Sequence, residues 1–251
     1  MNRVRTGIYV DALNFYYGAL KGGPDKWLDL EAFSKRLFPH DNIVCIRYFT
    51  AIVNSRPDDP RIPIRQETYL RALETLPTVS IHRGRFTTRV RTKVLADAFE
   101  HFGSLFIPHF RPQFLFSLMW KDKVYRRTDT TTRVRVVVEE EKGSDVNLAA
   151  YLVNDAARKN IDKALVISND SDLTDAIALA RNFDIQVGIL NPHSGATSKH
   201  LRTAASFQLP FRRSILADSQ FPVTVLDRRN REIHKPREWR HTQRPGLAAG
   251  P

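Results

Sequence analysis

Two short runs, ALVISN at 164–169 and IQVGIL at 185–190, are almost continuously apolar and show no alternation of period two. A strand with one wet face alternates, whereas one that is apolar throughout has both faces covered. A helical stretch at 171–182 separates the two runs. GIYV at 7–10 is a third run of this kind, and IVCIRYFTAIV at 43–53 a longer one. LDLEAFSKRLFP follows the first, with Leu30, Phe33 and Leu37 at helical spacing and Asp29 as N-cap. Residues 64–76 read as a helix with Tyr69, Leu70, Leu73 and Leu76 inward, and TVSIHRG as a strand ending in a turn. Residues 144–159 read as another helix, with Val146, Ala149, Ala150, Val153 and Ala157 as its apolar face. Buried strands alternating with helices point to an α/β fold, a parallel sheet covered on both sides and joined by right-handed crossovers.

Residues 84–140 break this rhythm with an aromatic, Pro-interrupted stretch and then a Thr- and Arg-rich stretch, read as an insertion beside the sheet. Residues 227–251 read as a basic, disordered tail, with seven Lys or Arg against three acids. Over the whole chain 39 Lys and Arg face 27 Asp and Glu, a net charge of +12 that attracts polyanions, nucleic acid first. The single Cys45 excludes an internal disulfide and a Cys-based zinc ribbon. No apolar run nears the roughly 20 residues of a membrane helix. Asp11 also cuts the first run too short for a signal-peptide core. A cytoplasmic protein with no membrane partner is the expectation.

The acids sit where an open parallel sheet places its ligands. Asp11 follows the first strand, Asp170 and Asp172 follow ALVISN, and Asp145 opens the helix before it. Strand ends at the carboxyl edge form the ligand crevice. Converging carboxylates repel unless a cation sits between them, and an all-oxygen set selects Mg²⁺ or Mn²⁺ over zinc. Capping competes with this reading: Ser171 or Asp172 suits one helix start, Ser144 or Asp145 another. Asp11 is the exception on this reading, because no helix signal follows it. Taken jointly, the acids favour a metal site. Ser168, beside them, either touches a metal-bound water or hydrogen-bonds the backbone.

VDALNFYYG at 10–18, EKGSDVNLA at 141–149 and VISNDSDL at 166–173 resemble the three motifs of NYN domains, PIN-like metal-dependent ribonucleases, with the bacterial LabA-like group nearest. RYFTA at 47–51, the RQ-x-x-YLRAL segment at 65–73 and Gly84-Arg85-Phe86 are similar to the same subgroup. The resemblance runs in order from about residue 6 to about 216. It implies a PIN-like three-layer sandwich with a central parallel sheet of order 3-2-1-4-5 and an insertion, about 94–138, before the middle motif. The domain would span 1–216, with 217–251 as a C-terminal extension. It also implies Asp11, Asp145, Asp170 and Asp172 as ligands of Mg²⁺ or Mn²⁺, with Asn14 and Lys142 beside them. The implied activity is hydrolysis of single-stranded RNA to 5′-phosphate and 3′-hydroxyl ends. Asn169 stands where the family has Gly, where it either narrows the site or donates a hydrogen bond, and Leu173 replaces an aromatic. Asp175 reads as a first-turn acid favoured by the helix dipole.

Two rivals stand beside this. One is a non-catalytic RNA-binding module that keeps the acids for a structural ion. The other is a haloacid-dehalogenase-type phosphohydrolase, which needs a second acid two residues after the first, where this chain has Leu13. Arg83, Arg85, Arg89, Arg91 and Lys93, and the cluster Lys121, Lys123, Arg126, Arg127, Arg133 and Arg135, read equally as phosphate strips or as charged edge strands. Phe99, Phe102, Phe106, Phe110, Phe114, Phe116 and Trp120 read as a satellite core in preference to a base-stacking surface. A homodimer and a protein partner for the tail are left open.

Overall fold

The computed structural model describes residues 3–94 and 133–239 of the 251. The aromatic cluster and the basic cluster at 121–127 lie outside the described residues, as do His101, His109 and residues 240–251. The chain divides into two compact units, Met1–Arg85 with Lys142–Pro251, and Phe86–Glu141.

The strands are β1 (Arg5–Asp11), β2 (Asn42–Ala51), β3 (Val79–Val94), β4 (Arg133–Lys142), β5 (Lys163–Ile167), β6 (Gln186–Leu190) and β7 (Phe207–Leu209). They form one seven-stranded sheet ordered β4-β3-β2-β1-β5-β6-β7. Every pairing from β3 through β7 across β1 is parallel. The five strands expected from the sequence are the inner five of this sheet, and β4 and β7 form its edges. β3 does not turn at Gly84; it runs on to Val94, 16 residues in all. On β4, Val134 and Val136 are buried while Arg133 and Arg135 are exposed, the alternation of a strand with one wet face.

Helices cover both faces. Along β1, Ile8 and Val10 point into one cluster and Tyr9 into the other, as period-two geometry requires. The first cluster takes Phe15 from α1 (Ala12–Phe15), Phe33 from α2 (Leu30–Leu37) and Leu70 and Leu73 from α3 (Ile62–Leu73). The second takes Leu148 and Leu152 from α4 (Ser144–Ala157), Ile177 from α5 (Thr174–Arg181) and Leu201 from α6 (Lys199–Ala204). Asp29 caps α2 by accepting from the Ala32 N–H at 2.9 Å.

The expected apolar face of α4 is rotated. Its buried residues are Ser144, Leu148, Leu152, Asp155 and Ala156, and Val146 is 72% exposed. The cause is Asp155, only 1% exposed, which accepts from the Tyr9 hydroxyl at 2.7 Å and from Arg47 Nε and Nη2 at 2.6 and 2.8 Å. A bidentate guanidinium on a buried carboxylate is a strong, directional contact. It sets the helix rotation against the pull of the small apolar residues.

The chain beyond 216 is also not as expected. After α7 (Arg213–Ala217), β8 (Thr224–Leu226) and β9 (Glu232–His234) form an antiparallel pair that spans the expected start of the disordered tail. Phe221 and Ile233 are buried in the first cluster, and Trp239 packs against it. Trp27 lies 5.7 Å from Phe221 and 6.3 Å from Trp239 between ring centroids, and its indole N–H donates to the Pro222 carbonyl at 2.8 Å. Residues to 239 thus belong to the domain core, and Arg228, Arg229, Arg231 and Arg237 are exposed on it. Trp239→Ala is expected to cost about 2 kcal/mol, measured by urea unfolding, because the ring is half-buried. An unchanged midpoint would mean the segment is only draped on the core. Among the described residues no helix is long and apolar enough to cross a membrane.

Candidate active site

The parallel register of β1 and β5 pairs Val10 with Ile167, so Asp11 and Ser168 leave the sheet side by side. Ser168 Oγ donates to Asp11 Oδ2 at 2.8 Å and accepts from the Asp170 N–H at 3.0 Å. One hydroxyl therefore joins the two acids' chain segments at the carboxyl edge of adjacent central strands. Asp11 is 6% exposed, Ser168 is buried and Asp170 half-buried.

Asp11 is also a helix cap, contrary to the sequence expectation. α1 begins at Ala12, and Asp11 Oδ1 accepts from the Asn14 N–H at 3.0 Å. A single α-turn that widens into a π-turn over Tyr16–Leu20 carries no apolar period long enough to read in advance. Asp170 likewise caps the 3₁₀ turn Ser171–Leu173, accepting from the Asp172 N–H at 3.0 Å. Asp172 in that turn is exposed, and Asp175 stands in the first turn of α5. Asp145 is half-buried in the first turn of α4, behind Gly143, whose φ of 99° is the left-handed conformation that favours glycine. α4 packs against the turn that holds Asp172. Lys142 is exposed at the end of β4.

Asn14 binds the site's far side. Its Oδ1 accepts from the Asn169 N–H at 3.1 Å and lies 3.0 Å from His193 Nε2. Asn169 Oδ1 in turn accepts from the Ser198 N–H at 2.8 Å, and Asn191 Oδ1 from the His193 N–H at 2.9 Å. Asn169 Nδ2 also donates to the Ala196 carbonyl at 3.4 Å, the donor role that is one of its two expected ones. His193 escaped the sequence reading because it sits after Pro192 in a loop with no motif. Burial holds its pKa below the ordinary histidine value, which favours the neutral ring near pH 7. Gly18 makes the approach possible: a β-carbon there would lie 2.9 Å from the Pro192 carbonyl carbon and 3.0 Å from the His193 ring.

The structure therefore brings Asp11, Asn14 and Asp170 together, with Ser168 and His193 added. Among the described residues, no three carboxylate, imidazole or thiol groups gather closely enough to hold an ion. The described basic strip is partly neutralised: Arg83 pairs with Glu67 at 3.3 Å and with Glu74 at 3.6 Å, and Arg91 with Glu140 at 2.7 Å. These pairs favour the charged-edge reading at those two positions.

Residues 119–210 match the model of the NYN domain family. The chain is 30% identical over 258 aligned positions to 6-hydroxy-3-succinoylpyridine 3-monooxygenase HspA of Pseudomonas putida, with 94% of this chain and 75% of that protein covered. It is also similar to the crystal structure of VPA0982, a protein of unknown function from Vibrio parahaemolyticus, at a TM-score of 0.46 and 15% identity, over 84% of this chain and 94% of that one.

Proposed function

This chain belongs to the NYN domain family, and on that premise we propose that it is a metal-dependent ribonuclease, a hydrolase acting on single-stranded RNA. The observation that carries the reading is that the Asp11 carboxylate and the Asp170 backbone N–H meet at the Ser168 hydroxyl. It lies at the strand edge where open α/β sheets bind ligands.

Asp11 and Asp170, with Asp145 and Asp172 from the neighbouring helix and turn, would hold Mg²⁺ or Mn²⁺. The oxygen-only donor set suits a hard ion. The described side chains form no closed cage. They suit an ion that takes one or two carboxylates and keeps most of its own water, the usual habit of Mg²⁺. When bound, such an ion supplies a more acidic water and neutralises phosphate charge. Ser168 fixes the Asp11 carboxylate, and Asn14 holds the β1 end to the loops carrying Asn169 and His193. Lys142 supplies positive charge for a phosphodiester transition state.

Purified protein is expected to cleave end-labelled single-stranded RNA in Mg²⁺ or Mn²⁺ and not in EDTA. Metal at a hundredfold excess over its Kd should raise stability by about 3 kcal/mol through linkage. Stabilisation without cleavage would point to a non-catalytic RNA-binding module, and neither effect would remove the metal site.

The relative from Pseudomonas putida favours a second reading, because the identity extends over 94% of this chain. On that reading the protein inserts one oxygen atom into a heteroaromatic ring, with a two-electron reductant carrying the second atom to water. Oxygen uptake that depends on both a hydroxypyridine and a reductant, in a preparation that leaves RNA intact, would select it.

A further inference from the structure

Beside Asp11, α1, β2 and α3 line a cavity of about 560 Å³, within the roughly 300–1,000 Å³ of small-molecule pockets. Ala12 and Leu13, the residues directly after Asp11, form part of its wall. Tyr16, Tyr48, Tyr69 and Trp239 line it, together with Lys26 and Arg65.

Three features of the lining are unspent. Arg65 is committed to Asp59 and, at 3.5 Å, to Glu238. Lys26 is half-buried and forms no ion pair among the described residues. Burial, and then the adjacent Arg65, hold its pKa below the ordinary lysine value and outweigh the opposing pull of Asp59. Tyr48 is 7% exposed, yet its hydroxyl meets no hydrogen-bond partner among the described residues, and the same holds for the half-buried Tyr16. Tyr69, by contrast, donates to the Leu28 carbonyl at 2.9 Å. A cation drawn partly out of water is ordinarily paired within the fold, and a hydroxyl that lines a cavity without a protein partner is open to a ligand.

We infer that this cavity binds a small planar aromatic anion, a single aromatic or heteroaromatic ring carrying one carboxylate or phosphate. The Tyr and Trp rings offer faces and edges to the ligand ring. Lys26 takes the anionic group in a charge-assisted hydrogen bond. The Tyr48 and Tyr16 hydroxyls donate to ring or substituent oxygen or nitrogen. Arg65, held by two carboxylates, shapes the wall and leaves the anion to Lys26. The site rests on the cavity and its unpartnered groups, and on neither reading of the reaction. Two sources share this chemistry, a free aromatic carboxylic acid and a mononucleotide.

The test is calorimetric titration of the full chain with nicotinate and with uridine 5′-monophosphate, each beside its neutral counterpart, nicotinamide and uridine. At least one anion is expected to bind saturably, with its neutral counterpart about tenfold weaker or more. Which anion binds identifies the source. Lys26→Met should erase the preference for the charged ligand. Tyr48→Phe should weaken binding severalfold while leaving the melting temperature of the free protein nearly unchanged, since the hydroxyl it removes lines the cavity and bonds to no group of the described fold. The inference is overturned if neither anion saturates, if Lys26→Met keeps the charged-over-neutral preference, or if Tyr48→Phe lowers the melting temperature and leaves affinity unchanged. RNA cleavage by the same preparation is scored separately, so loss of this site and loss of the nuclease reading are distinguishable.

Discussion

Asp170→Asn is expected to reduce RNA cleavage on the order of a thousandfold, about 4 kcal/mol of transition-state stabilisation, without unfolding the protein. The carboxylate charge is what a hard cation and a phosphodiester reaction need, and Asn removes it. The structural duty of Asp170 survives, because its Oδ1 caps the Ser171–Leu173 turn and Asn is an equally good cap. Stability should therefore change by less than roughly 0.5 kcal/mol. Cleavage kinetics with a parallel thermal melt make the check. A variant that cuts RNA at the wild-type rate would reduce Asp170 to a turn residue.

Asp155→Ala should do the reverse, damaging the fold while leaving the candidate site's own groups in place. The substitution strands the Arg47 guanidinium and the fully buried Tyr9 hydroxyl. Breaking one side of a buried ion pair costs about 3–5 kcal/mol. For a chain of this size that is roughly a 10 °C fall in Tm. The pH dependence follows from the same contacts. Burial pushes the Asp155 pKa up, but hydrogen bonds from Arg47 and Tyr9 outweigh it and hold the carboxyl below its ordinary value. A depressed carboxyl contributes stability that is complete above its unfolded pKa, near 4, and is lost as pH falls through the folded one. Wild-type protein should thus lose stability below about pH 4, and Asp155→Ala should flatten that limb. Denaturant melts at pH 7 and pH 3 read both effects. Equal acid sensitivity of the two proteins would assign the acid limb to other carboxylates.

The sheet was legible because its strands are apolar on both faces, a property visible in ALVISN and IQVGIL without any neighbour in view. Asp29, Asp170 and Asp11 were legible as acids at element ends; Asp29 caps α2 as expected, whereas Asp11 caps a helix where none was expected and Asp170 takes the cap expected of Ser171 or Asp172. The π-turn after Asp11 has no sequence period, and so the helix start at Ala12 was hidden. The face of α4 was misread because a helical wheel ranks Ala and Val above Asp. The wheel cannot see Arg47 and Tyr9 arriving from other strands 108 and 146 residues away. Trp239 looked like part of a charged tail because its Trp27 and Tyr69 neighbours are brought to it by the fold. His193 and the tyrosine cavity were invisible for the same reason: each is a juxtaposition of distant segments, with no local pattern of its own.

The central claim is that Asp11 and Asp170 act as one unit around Ser168 on a phosphodiester. A double-mutant cycle of single-turnover RNA cleavage in Mn²⁺ tests it most directly, with wild type, Asp11→Asn, Asp170→Asn and the double variant. Groups that act as a unit lose their joint effect once either is removed. Two inactive single variants are expected, with a double variant within about threefold of the slower one. Losses that multiply in the double variant, or a single variant cleaving at the wild-type rate, would contradict it.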